Sequence, residues 1–215
     1  MSVPLIIFGA GGHATACANV AFAMGLPISG FVDPSRSDES HCGLPVAASP
    51  EAFGPLDAHQ FFVAVGDNSA RQRLRAQWQE KAGGLAWAIL AHPSAVIGWG
   101  SELGPGSVAM PLAMIGPNCR IGAFCIVNSG ASIDHDGRME DYSSLAPGAV
   151  TGGNVSIGAR SAICIGAIVK HGCKIGADSV LGGNAYLDQE LPDAVVAYGN
   201  PARIVRPRQP GEPYL

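Results

Sequence analysis

A six-residue period runs unbroken from residue 97 to residue 187. Taking every sixth residue gives Ile97, Leu103, Ala109, Ile115, Ile121, Val127, Ile133, Met139, Leu145, Thr151, Ile157, Ile163, Val169, Ile175, Leu181 and Leu187. Fifteen of these sixteen are apolar, and Thr151 is the exception. The next position is often glycine (Gly98, Gly104, Gly116, Gly122, Gly152, Gly158, Gly176, Gly182), and the position four after the aliphatic residue is mostly small. A glycine-rich low-complexity tract would not hold an aliphatic residue in register. The period predicts a parallel β-helix with six residues per side and three short strands per 18-residue coil. Sixteen hexads make a little over five coils, each rising about 4.8 Å. Aliphatic residues point inward, small residues fill the corners, and glycines are expected where turns need φ > 0.

The residues before the repeat follow another logic. Leu5 to Phe8, Ile28 to Val32 and Phe61 to Val65 read as apolar strands, and Thr15 to Met24 and Ala70 to Lys81 as helices. Alternating strands and helices predict a small Rossmann-like parallel α/β domain over residues 1–90, with the β-helix and a C-terminal tail over 91–215.

Composition narrows the function. Apolar residues are 47% of the chain and charged residues 14%, enough for a sizeable core and unlike a disordered chain. Net charge is −4 with no basic run, which argues against nucleic acid as the main partner. The start, MSVPLIIFGAGG, lacks a basic leader region and reads as a first strand. No stretch reaches the roughly 18 apolar residues of a membrane span, so a soluble cytoplasmic protein is expected. None of the six cysteines lies in a CxxC pair. Cys119, Cys125 and Cys173 occupy the small corner position and Cys164 the glycine slot, so packing is their expected role.

The hexads resemble those of bacterial hexapeptide-repeat acyltransferases, whose β-helix is left-handed. The resemblance sharpens with GAGGHA near the start, VAVGDN in the middle, Asn128, His135-Asp136, Gly152-Gly153-Asn154-Val155 and Gly199-Asn200-Pro201-Ala202-Arg203. With these motifs the chain resembles the nucleotide-4-aminosugar N-acetyltransferases and the sialic acid O-acetyltransferase-like proteins. The resemblance implies a homotrimer with active sites between subunits, acetyl-CoA as cosubstrate and a nucleotide-linked amino sugar as acceptor, in bacterial glycan biosynthesis. Two other readings stand beside it: O-acetylation of a sugar hydroxyl, and a non-catalytic β-helix that binds sugar nucleotides.

Acetyl transfer from a thioester needs a base, donors for the oxyanion and alignment of both substrates. His135 is the candidate base, since an imidazole titrates near neutrality. Asp136, or Asp134, is its candidate partner. The resemblance puts Asn128, seven residues earlier, near the substrate, with an asparagine ladder at a corner as the alternative. The resemblance puts the Gly153 amide at the thioester carbonyl and Ile165, Gly183 and the segment ending at Arg203 along the CoA channel, with Arg203 or Lys170 for a CoA phosphate. Some family members carry a second histidine nine residues after the base; here that position is Ser144, which offers a hydroxyl to CoA instead. His171 lies two coils beyond His135, but metal-binding β-helices need three converging histidines, and no metal is expected. In the α/β domain, Gly11, Gly12 and His13 open a helix after a strand, where backbone N–H groups suit phosphate. Asp33 closes the second strand and is expected at the nucleotide, with Gly66 and Asn68 nearby. For Asp33 a plain turn before Pro34 is the alternative.

Overall fold

A computed structural model describes residues 2–214. The N-terminal part contains β1 (Leu5–Phe8), α1 (Gly12–Ala23), β2 (Ile28–Val32), β3 (Ser40–His41), β4 (Leu44–Ala47), β5 (Gln60–Val63) and α2 (Asn68–Ala82). The sheet order is β3-β4-β2-β1-β5, parallel except for the β3–β4 hairpin. That hairpin escapes the sequence pattern because β3 is only two residues long and β4 only four. It turns on Cys42 and Gly43, both at positive φ. α1 begins three residues before its expected start, since the glycine loop itself enters the helix. α2 is capped by Asp67, whose carboxylate accepts the Ala70 N–H at 2.8 Å.

α1 is apolar on two sides because it is buried on two sides. Its Ala14, Cys17 and Ala21 share a core with Leu5, Ile7 and Phe62 of the sheet and with Val108, Met110 and Ile126 of the β-helix. On the opposite side of the sheet, Phe8 and Phe61 pack with Trp78 of α2, and Phe124 and Tyr142 of the β-helix join the same cluster. Arg71 crosses this junction fully buried. It donates to the carbonyls of Val65 and Gly66 in the α/β domain and to those of Phe124 and Tyr142 in the β-helix.

The repeat folds as a three-faced parallel prism. The covered face stacks Leu90–Ala91, Val108–Ala109, Ile126–Val127, Ser144–Leu145, Ala162–Ile163 and Val180–Leu181 under the α/β domain and the C-terminal tail. A hairpin of Val195–Gly199 and Ala202–Pro207 extends it. The apolar face stacks Val96–Ile97, Met114–Ile115, Ser132–Ile133, Val150–Thr151, Ile168–Val169 and Tyr186–Leu187. The charged face stacks Glu102–Leu103, Arg120–Ile121, Arg138–Met139, Ser156–Ile157 and Lys174–Ile175. Aliphatic residues from all three faces fill the interior with the small corner residues, including Cys119, Cys125 and Cys173. Burial raises the pKa of each of these thiols, that of Cys125 to about 11.

The glycines after the aliphatic residues have a different cause from the one expected. They do not take positive φ. A Cβ on Gly98 would lie 2.5 Å from Pro117 N, and one on Gly116 would lie 2.7 Å from His135 N. Close approach of the next coil excludes a side chain there. Positive φ falls two residues later in each hexad, at Gly100, Asn118, Asp136, Asn154 and Gly172 along one corner.

Candidate active site

The corner between the apolar and charged faces carries His135. Asp136 takes the left-handed conformation (φ 59°), and its Oδ2 lies 2.8 Å from His135 Nδ1. The His135 N–H donates to Asp134 Oδ1 at 2.7 Å, so both neighbouring acids hold the residue. The side chains of His135 and Asp136 are about half exposed (56% and 53%), so the imidazole is open to a substrate. The Asp136 hydrogen bond, reinforced by the charges of Asp134 and Asp136, raises the imidazole pKa above its ordinary value. The ring lies over Gly153, one coil on, and any Cβ there would overlap Nε2 and Cε1. Nδ1 is thus engaged, and Nε2 faces the glycine whose amide the sequence motif singles out. His171 and Lys170 lie on the same corner one coil beyond Gly153 and are exposed.

The corner between the covered and apolar faces carries a different set. His13, Gly66, Asn128, Ser144, Ile165 and Tyr214 line a cleft where the α/β domain meets the β-helix. An adjoining apolar cleft of about 300 Å³ is lined by Ser144, Cys164, Ile165, Gly183 and Tyr214, among others. Burial, and secondarily the Arg71 guanidinium, lower the His13 pKa to about 4, so its imidazole is neutral at physiological pH. Asn128 Oδ1 accepts the Ser129 N–H at 2.8 Å, which leaves its amide nitrogen for the cleft.

A third recess opens beyond the carboxyl ends of β1, β2 and β5, lined by Gly9, Asp33, Val65, Leu74, Gln77 and Trp78. This is where open α/β sheets bind ligands. Gly11 and Gly12 start α1 with no side-chain cap, and neither glycine has an atom within 4 Å of where a Cβ would be. Side chains could be added at both glycines without meeting a neighbour. Asp33 is less free than expected. Its Oδ2 accepts the Ala10 N–H at 3.2 Å, and its Oδ1 accepts the Ser35 N–H and hydroxyl. The carboxylate shapes the glycine loop.

Comparison with known proteins places this geometry. Residues 4–77 match the family described as the PglD N-terminal domain. The chain is 31% identical to GDP-perosamine N-acetyltransferase of Escherichia coli O157:H7, over 82% of this chain and 81% of that one. The chain belongs to the hexapeptide-repeat acetyltransferase family of that enzyme. It superposes with a TM-score of 0.87 on perosamine N-acetyltransferase from Caulobacter crescentus, solved with CoA and GDP-perosamine, at 34% identity and with 94% and 96% of the two chains covered. The acetyltransferase domain of PglB from Neisseria gonorrhoeae, solved with acetyl coenzyme A, gives 0.88 at 29% identity, covering 95% and 100%. The prism is therefore the left-handed β-helix of this family, and the chain is an acetyl-CoA-dependent acyltransferase. No helix among the described residues is long and apolar enough to cross a membrane. No group of three or more His, Cys, Asp or Glu side chains among them is placed to hold a metal ion.

Within the family frame, the residues singled out in the sequence fall into distinct places. His135, Asp136 and Gly153 meet at one corner, and His13, Gly66, Asn128, Ser144, Ile165 and Gly183 line the clefts along another. Asn68 belongs to neither. It is fully buried, its Nδ2 donates to the carbonyls of Arg160 (3.2 Å) and Ser161 (3.0 Å), and its Oδ1 accepts from Arg71 at 2.6 Å. Its place is the domain junction, not a nucleotide surface. Arg203 sits on the terminal hairpin, exposed, 3.5 Å from Asp188. Sequence reasoning misses Tyr214, whose hydroxyl lies 3.3 Å from Gly66 O and 3.4 Å from Ser144 Oγ. Nothing local predicts it, because the tail returns through Arg208, which donates to Asp178 O from a buried position.

Proposed function

We propose that this enzyme transfers the acetyl group of acetyl-CoA to the amino group of a nucleotide-linked 4-amino-4,6-dideoxy sugar, with His135 as general base. The observation that carries the reading is the His135–Asp136 pair set over Gly153. The amine attacks the thioester carbonyl, and a C–N bond forms. The amine proton passes to His135 Nε2, while Asp136 at Nδ1 stabilises the resulting imidazolium. The Gly153 N–H is the donor for the oxyanion. Collapse breaks the C–S bond, and the CoA thiolate takes the proton from His135. Lining by Ser144, Ile165 and Gly183 suits the pantetheine arm. The α1 amides and the recess beside Asp33 and Trp78 suit the nucleotide. A GDP-linked sugar is the first acceptor to test, since that is the ligand of the Caulobacter relative.

The active unit in this reading is a homotrimer. Asn128 and His135 sit on the two edges that bound the apolar face, so one chain holds the halves of the site apart. The outward positions of that face include Val96, Val150 and Ile168, which are 61%, 40% and 48% exposed. The charged face presents Glu102, Arg120, Arg138 and Lys174 instead. Packing the apolar faces around a threefold axis buries the exposed aliphatics and brings the His135 edge of one copy beside the Asn128 edge of the next.

The test is thiol release from acetyl-CoA with a GDP-linked 4-amino sugar and with free sialic acid. Turnover of the amino sugar is expected, with His135→Ala lowering kcat by roughly 10²- to 10⁴-fold. Turnover of sialic acid alone moves the assignment to O-acetylation. Undiminished turnover in His135→Ala removes the histidine from the mechanism.

A further inference from the structure

We infer that Thr151 is a positioning residue for the turn that carries His135. The inference rests on His135 being the base. Thr151 is the one polar residue in the apolar frame of the repeat, and it is buried (3% exposed) directly beyond Ile133 in the stack. Elsewhere on this corner, each turn begins with a rung in which the residue after the aliphatic position donates to a carbonyl one coil on. Gly98 donates to Ile115 O at 2.7 Å, Gly116 to Ile133 O at 2.8 Å, Gly152 to Val169 O at 2.9 Å and Lys170 to Leu187 O at 2.9 Å. Asp134 is the exception. Its N–H donates instead to the Thr151 hydroxyl, at 3.4 Å, and the strand pairing here registers Ser132 with Val150 but not Ile133 with Thr151.

A side chain at the Asp134 position does not by itself open the rung. Lys170 on this corner keeps its rung, and so does Glu140 on the next, at 2.9 Å to Ile157 O. What differs is the threonine. Its hydroxyl takes the N–H that the carbonyl of residue 151 would otherwise accept. Asp134 in turn holds the His135 N–H at 2.7 Å, and Asp136 holds the ring at 2.8 Å. The chain of contacts therefore runs from a core hydroxyl, through Asp134, to the imidazole over Gly153. An aliphatic residue at 151 would complete the column and close the rung, redirecting Asp134 and the ring with it.

Stability and activity should then move apart. Thr151→Val in the full-length enzyme should keep or raise the melting temperature, because it completes the apolar column. Its kcat should fall roughly 10- to 100-fold, the scale of a misplaced reacting group, with both KM values nearly unchanged. Thr151→Ser should restore most of kcat. A crystal structure of Thr151→Val should show the Asp134 N–H on the carbonyl of residue 151. Wild-type kcat and an unchanged pH profile in Thr151→Val would overturn the inference. So would equal loss in both variants in step with a lower melting temperature, which would make the residue merely structural. An inactive His135→Ala beside a fully active Thr151→Val leaves the base in place and removes only the role of Thr151. An active His135→Ala removes the base itself.

Discussion

One coil before the His135 turn, the same corner is turned by Gly116, Pro117, Asn118 and Cys119. The two turns share their left-handed residue, Asn118 (φ 57°) and Asp136 (φ 59°), and their small fourth residue, Cys119 and Gly137. They differ in everything that faces outward. The Gly116 turn keeps its rung and turns its one titratable side chain, Cys119, into the core, whereas the next one opens its rung and presents Asp134, His135 and Asp136 together. The scaffold dictates the path of the chain at both places. On the proposed reading, the chemistry resides in what one hexad adds to that path.

Four substitutions can break or sharpen the contrast. The largest effect is expected from Gly153→Ala. Its Cβ would occupy the space of the imidazole ring, while φ there is not in the glycine-only region. A loss of roughly 10²-fold in kcat with an unchanged elution volume is expected, read from steady-state rates beside size-exclusion chromatography. Next come matched alanines in successive coils. Gly116→Ala sets a Cβ 2.7 Å from His135 N, and Gly98→Ala sets one 2.5 Å from Pro117 N. Both should destabilise by about 1–3 kcal/mol through overpacking. Only Gly116→Ala should also lower kcat, and equal kcat values for the pair would erase the distinction between the turns. The smallest effect is expected from Asp136→Asn. Because the Asp136 hydrogen bond raises the His135 pKa, its loss lowers that pKa. The imidazole then stays neutral to lower pH, and the acidic limb of kcat/KM moves downward. The plateau should fall about tenfold with the weaker base. A limb that stays in place would show that another group titrates in the rate.

The sequence period is enough to place the coils, the inward frame and the corner cysteines, because a stacked prism repeats one local environment. Counting by 18 also separates Asn128 from His135 onto two edges. The period is silent where contacts are long-range. The glycine after each aliphatic residue is visible, but its cause, the backbone of the next coil, is not. Thr151 shows as an exception in the frame, yet its bond to Asp134 appears only when residues 17 apart are stacked. Asn68 sits in a VAVGDN motif that invites a ligand role, but a buried Arg71 and two carbonyls of the β-helix claim its amide. Tyr214 depends on a tail that folds back across some 70 residues of sequence to reach Ser144.

Arg71 has a consequence for how the enzyme works. One fully buried guanidinium is shared between four carbonyls, two in each half of the chain, and leaving any of them unpaired in the interior is costly. This side chain ties the two halves together at one point. Any closing motion between them would have to break these bonds. On the proposed reading, alignment of the recess beside Asp33 with the thioester is then largely set during folding, and selectivity acts as a ruler. On that reading, a sugar nucleotide whose amine falls at the wrong length from its base should be held but not acetylated.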